Sequence, residues 1–199
     1  RRITPDCLQA GLSYWGNQLA GVEPSAFPTD RPRPPTQTFR GAHRSFSLPT
    51  SLVESLRKLA IEENATLYMV FLAIFKILLS RYSGQENVAI GSPVTNRTRS
   101  EWEGIIGTFI NILVFRTDLS QNPSLRQIIR RVRETVLDGF THQEVPFQKL
   151  VEELVPRRDP SRSPLVQVLF NFLSTPVGKV NFDGISWAPF EVDQWAAQF

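Results

Sequence analysis

The sequence predicts an α/β fold in which a mixed sheet packs against helices, and three observations carry that expectation. Stretches with apolar residues at helical spacing alternate with short apolar stretches of strand length. The run from Leu67 to Leu79 is apolar almost all round apart from Lys76, as in a helix at the centre of a core. The run Ile106 to Arg116 (IGTFINILVFR) is apolar on both faces of a strand, as in an inner strand covered on both sides. Helices and strands mix in one chain without internal repeats, so the class is α/β or α+β.

Asp6 to Ala20 reads as the first helix. Asp6 is its expected N-cap, Leu8, Leu12, Trp15 and Leu19 recur at helical spacing, and Gly21 ends it. Val22 to Gly41 holds five prolines, which forbid a helix and send the chain extended over the surface. Ala42 to Leu48 is a candidate strand. Pro49 to Asn64 is an amphipathic helix with a Ser51/Glu54 capping box and a buried stripe of Leu52, Leu56, Leu59 and Ala60. Thr66 to Arg81 follows as the core helix, closed by Ser83-Gly84, and Asn87 to Pro93 as a strand. A polar loop, Thr95 to Gly104, leads into the Ile106–Arg116 strand. Asn122-Pro123 starts the next helix by cap and first-turn proline, with Leu125, Ile128, Ile129, Val132 and Val136 inward and Arg126, Arg130 and Arg133 outward. Pro146 to Val155 is a shorter helix, Arg157 to Pro164 a loop, and Leu165 to Leu173 and Ile185 to Val192 are strands.

Composition excludes several function classes. The chain has 199 residues, 41% hydrophobic and 21% charged, as in an ordinary globular protein. A net charge of +3 gives no argument for nucleic acid. One cysteine, Cys7, leaves no internal disulfide and no cysteine-based zinc site. No signal peptide, P-loop or dinucleotide fingerprint is visible, and no apolar run reaches membrane-spanning length. The expected setting is cytoplasmic, without membrane, metal or a cofactor held by the chain itself. The basic opening without an initiator Met reads as a piece of a longer polypeptide.

Asn111 stands out. Asn is depleted in strands, and burying its amide without partners costs on the order of 1–3 kcal/mol. On strand alternation it shares a face with Phe109, Leu113 and Phe115. Such an amide either ties down neighbouring backbone or lines a cavity.

Several stretches resemble one family in its motif order. Tyr14-Trp15 with Gln18 to Gly21, the segment Pro28 to Pro34, Ala65 to Met69, and Arg81 to Gln85 are similar to segments of nonribosomal peptide synthetase condensation domains. Ile106 to Arg116 resembles the family's Ile-Gly-x-Phe-Val-Asn-Thr motif. His142 to Phe147 resembles His-Gln-Asp-x-Pro-Phe, and Arg158 to Leu165 resembles Arg-Asp-x-Ser-Arg-x-Pro-Leu. The resemblance implies a chloramphenicol acetyltransferase-like fold of two lobes with a tunnel between them. Carrier proteins bring aminoacyl or peptidyl thioesters to it on phosphopantetheine arms, and an amide forms.

The family's His-His-x-x-x-Asp-Gly motif is not in this sequence, whose histidines are His43 and His142. The resemblance therefore implies a C-terminal lobe at residues 42–199, preceded at 1–41 by an inter-lobe helix and Pro-rich linker, with the N-terminal lobe absent and no catalytic residue on the chain. Asn111 is expected to support the reaction, so that Asn111→Ala lowers condensation more than stability. Thr108, Phe109, Asn111 and Leu113 are expected on the tunnel wall. Thr108 and Ile112 depart from the motif's aromatic and threonine. Arg97, Arg99 and Trp102 are assigned to a loop that floors the tunnel or meets the other lobe. His142, Pro146, Phe147, Arg158, Asp159 and Arg162 are assigned structural roles. The arginine stripe on the fourth helix reads as a solvated face, with an acidic carrier protein or a phosphopantetheine phosphate as its alternative occupant.

Expected partners are the N-terminal lobe, donor and acceptor carrier proteins and a neighbouring adenylation domain. Rival readings are an epimerisation or heterocyclisation domain of the same superfamily, or a carrier-binding scaffold without catalysis.

Overall fold

A computed structural model describes residues 4–173. Helix α1, Pro5–Gln18, begins one turn after the chain's basic start and takes Thr4 as its N-cap, not Asp6; the Thr4 hydroxyl accepts from the Cys7 amide. Helix α2 spans Thr50–Glu62 and α3 spans Leu67–Ser83. The Ser51/Glu54 box does not form, because the helix starts at Thr50 behind Pro49 and has no side-chain cap. Of the four residues expected in the α2 stripe, Ala60 is fully enclosed while Leu52 is exposed. Thr66 caps α3, and Gly84, at φ 72°, ends it in the left-handed region that favours glycine.

Strand β1, Asn87–Val94, pairs antiparallel with β2, Asn111–Asp118, in a register running from Asn87 opposite Asp118 to Val94 opposite Asn111. On its other side β1 meets Leu169 of the following segment through a parallel bridge at Gly91. The local pattern is therefore mixed, as expected, and among the described residues β1 has a neighbour on each side while β2 has β1 alone. The expected strand Leu165 to Leu173 is reduced to this bridge, and Ala42 to Leu48 forms no strand among the described residues, with Phe46 exposed. The expected strand at 185–192 lies outside the described residues.

Helix α4, Leu125–Thr141, is capped by Ser124 in a reciprocal box with Gln127, later than Asn122-Pro123 suggests. Ile128, Ile129, Val132 and Val136 face the core, whereas Leu125 is partly exposed. Helix α5, Phe147–Leu154, buries Leu150 and Val151. The core joins Trp15 of α1, the apolar face of α3, both strands and α4. Gly139 lets α4 cross Phe115: a Cβ there would lie 2.7 Å from that ring and 3.3 Å from Trp15.

Lys76 is the exception inside this core. It is fully buried and donates to Val88 O (3.1 Å), Phe115 O (2.6 Å) and Thr117 Oγ1 (2.9 Å), so it ties α3 to both strands. Desolvation pulls its pKa well below the usual lysine range. Among the described residues no single helix is long and apolar enough to cross a membrane; α2 and α3 pass that test only as a pair bent by 106°.

The candidate tunnel wall and its two loops

The polar loop between β1 and β2 is gathered by one side chain. Arg97 donates to Trp102 O, to Ile105 O at 3.0 Å and to Gly107 O at 3.2 Å. Its guanidinium lies 4.2 Å from the centre of the Phe109 ring, and that ring stacks at 6.0 Å on Trp102. Arg99 adds a cation–π contact at 5.7 Å on the indole. Trp102 is therefore packed within its own loop and half-buried. Ile106 is completely exposed at 102%, and Ile110 remains 66% exposed.

The second loop joins α4 to α5, and Asn111 holds it. The Asn111 amide nitrogen donates to Gln143 O at 2.9 Å and Val145 O at 2.8 Å, and its oxygen accepts from the Phe147 amide at 3.0 Å. Asn111 is buried, so three otherwise unpaired backbone groups are satisfied by one amide. Gly11 of α1 leaves room for Val145, whose methyl would collide with any added Cβ.

An open cleft lies between the two loops. Trp102, Ile105, Thr108, Phe109, Glu144 and Pro146 line it. Thr108 and Phe109, expected on a tunnel wall, line this cleft. Asn111 is not among its lining residues, and its amide is committed to the α4–α5 loop. Leu113, also expected on the wall, is enclosed in the core at 0% exposure. Alternation along the strand put Phe109, Asn111 and Leu113 on one face, but β2 begins only at Asn111, so Phe109 does not continue it. Sequence reading did not single out Ile105 or Glu144 as lining residues of this cleft. Their neighbours in the two motifs were the available signal.

His142 ends α4. Its ring stacks on Tyr14 at 3.8 Å, its Nδ1 lies 2.8 Å from Thr141 Oγ1 and 3.0 Å from Asp138 O, and its carbonyl accepts from Trp15 Nε1. These contacts give it a structural role that joins α1 to α4. Burial, with the nearby Asp138 charge, pushes the Tyr14 phenol up to about 12. Pro146 precedes α5 as its N-cap and Phe147 opens that helix. Asp159 accepts from the Ser161 amide and lies 2.9 Å from Arg162 Nε, which braces the loop; Arg158 is exposed.

The arginine stripe is spent within the chain. Arg126 bonds Glu62 and Glu63, Arg130 bonds Glu63, and Arg133 donates to Asn64 O. The Arg130 and Arg126 hydrogen bonds hold the Glu63 carboxyl below its usual range. The stripe clamps the end of α2 while its Arg126 and Arg130 side chains stay more than half exposed, so it is a solvated face whose charges are paired within the chain.

Known proteins of related sequence and shape agree with this geometry. The family model described as Condensation domain matches residues 5–189. A linear gramicidin synthase chain of Brevibacillus parabrevis is 48% identical over 190 residues, covering 95% of this chain and 4% of that protein. Gramicidin S synthase 2 of Aneurinibacillus migulanus is 35% identical over 196 residues, 98% of this chain and 4% of that protein. Among solved structures, a four-domain nonribosomal peptide synthetase bound to AMP and glycine superposes with a TM-score of 0.82 at 29% identity, over 88% of this chain and 13% of that one. The X-domain from teicoplanin biosynthesis gives 0.77 at 28%, over 85% and 37%. The chain therefore spans a small fraction of its curated relatives. With its motifs, its helices around a mixed sheet and its relatives in agreement, the chain belongs to the condensation-domain family of nonribosomal peptide synthetases and has the chloramphenicol acetyltransferase-like fold.

Proposed function

We propose that residues 42–173 are part of the C-terminal lobe of a condensation domain that joins carrier-bound aminoacyl or peptidyl thioesters through an amide bond, and that the cleft between the two loops is this lobe's share of the tunnel wall. The observation that supports it is the pairing of the two family motifs across one cleft: Thr108 and Phe109 on one side, Glu144 and Pro146 on the other. The exposed Ile105, Ile106 and Ile110 beside it suit a surface that meets another lobe.

In this reading the chain positions and does not supply the base. Arg97 holds the aromatic side of the wall, and Asn111 fixes the motif loop on the other side. The base would be the histidine of a His-His-x-x-x-Asp-Gly motif on an N-terminal lobe, and phosphopantetheine arrives as the carrier's own arm, part of the substrate. The acceptor amine attacks the donor thioester carbonyl, the carbon–sulfur bond breaks and the donor carrier keeps the thiol. An adenylation domain and two carrier proteins are the corresponding partners, in a cytoplasmic setting.

The test is a product assay with loaded carriers, using this chain alone and joined to an N-terminal lobe that carries the motif. Peptide product is expected only from the joined form. Product from the chain alone would overturn the division of labour. Carrier binding without product from the joined form would make the chain a scaffold.

A further inference from the structure

The Pro-rich segment is not a loose tether. Gln85 grips it from both sides, donating to Pro24 O at 3.1 Å and accepting from the Ala26 amide at 2.9 Å. Gln167 accepts from the Ser25 amide at 2.7 Å. Further along, the Gln37 amide donates to Pro160 O at 2.9 Å, and Arg33 reaches Ser161 O at 3.4 Å. The segment is thus strapped to the 157–164 loop, and a solvent-open cavity lies between them.

Arg33, Arg40 and Arg162 all line that cavity, with hydroxyl-bearing Ser161, Ser163 and Thr38. No carboxylate residue is among its described lining residues. Asp159 answers Arg162 from outside the lining. Arg33 spends one long hydrogen bond on the loop, and no side-chain hydrogen bond or ion pair of Arg40 is found among the described residues. Guanidinium groups gathered on one cavity repel one another until an anion enters, and their planar forks suit phosphate geometry.

We infer that the cavity between the strap and the 157–164 loop is a binding site for a phosphate-class oxyanion, held by Arg33 and Arg40 from the strap and by Arg162 from the loop. Because the ligand would bridge the two segments, its binding and the seating of the strap are linked.

Titration of the whole chain with inorganic phosphate, followed by calorimetry, tests this against sodium chloride at matched ionic strength. A phosphomonoester, glycerol phosphate, forms the second arm. Saturable binding of phosphate, weakened about 10-fold in Arg40→Gln and in Arg33→Gln but not in Arg57→Gln on the distant α2, is the expected result. Tighter binding of the monoester would assign the site to an esterified phosphoryl group, and equal binding to the free ion; either supports the site. Amide exchange in residues 33–40 should slow when the ligand is bound. A response reproduced by sodium chloride, or one unchanged in both variants, would overturn the inference. Since the Arg40 side chain has no described partner to lose, its variant is expected to fold, and a matched thermal midpoint without ligand checks that.

Discussion

Two loops flank the same cleft, and each is organised by one side chain with three hydrogen bonds to backbone. Arg97 holds the loop before β2 through Trp102, Ile105 and Gly107 carbonyls. Asn111 holds the α4–α5 loop through Gln143, Val145 and Phe147. The device is the same and the solvent is not. The carbonyls that Arg97 collects sit in a loop with exposed residues, where water can replace a lost donor. The groups that Asn111 satisfies lie against the core, where water cannot do so cheaply. The first loop is shaped by its arginine; the second depends on its asparagine. Lys76 is a third clamp of this type, with the same bond count but a charge that burial opposes.

The largest expected effect follows from Asn111. Asn111→Ala should destabilise the chain by about 2–4 kcal/mol in denaturant unfolding, because it leaves the buried Val145 carbonyl and the partly buried Gln143 carbonyl and Phe147 amide unpaired. That revises the expectation that condensation falls more than stability. A loss below about 1 kcal/mol would show that the α4–α5 loop is as replaceable as the first one.

Gly139→Ala should come next, at about 1–3 kcal/mol, because its methyl would meet Phe115 at 2.7 Å. It separates packing cost in the core from the hydrogen-bond cost at Asn111. Thermal unfolding reads it directly.

Lys76→Met should change stability at neutral pH by about 1–2 kcal/mol or less, since the lost hydrogen bonds are offset by relief of desolvation. Its clearer signature is pH dependence. The folded-state pKa lies below the ordinary 10.5, so the unfolded chain binds more protons in the window beneath 10.5. The stability contribution is fully present above that value and is lost as pH falls towards the folded pKa. The original chain should therefore gain stability from pH 7 to about 9.5, and Lys76→Met should flatten that rise. Tyr14 acts in the opposite sense only above about 10, where the unfolded phenol ionises before the folded one. An unaltered slope in the variant would mean that Lys76 does not carry the effect.

Arg97→Ala should be the smallest, at about 1 kcal/mol in stability, because the side chain is only partly buried and water can reach most of the carbonyls it leaves. Amide exchange across residues 102–110 should nonetheless accelerate, while residues 143–147 stay protected. Equal acceleration of both loops would erase the contrast between them.

Much of this was legible in the sequence. Helical spacing around Leu8, Leu12 and Trp15, the unbroken apolar character of α3, and the β1 run all gave elements within a few residues. The family motifs pointed to the fold and to residues that line the cleft. Periodicity failed where an apolar stretch had no strand to join. β1 ends at Val94 opposite Asn111, so residues 106–110 have no ladder to enter, and Arg97 takes the Ile105 and Gly107 carbonyls instead. The expected cap of α4 failed because Ser124 with Gln127 out-competed Asn122.

Local chemistry in the sequence determined which segments become helices, that Lys76 interrupts the core helix, and that an asparagine stands within an apolar strand. The motifs in their order were enough for the family. Tertiary structure alone decided what the odd residues do. Whether Asn111 faces a cavity or a loop, whether the α4 arginines meet solvent or Glu63, and whether the prolines form a tether or a strap are questions of distant partners. Those partners are 32 or more residues away along the chain for Asn111 and 63 or more for the arginines. No local rule brings such groups together; the packing of the sheet between α1, α3 and α4 does.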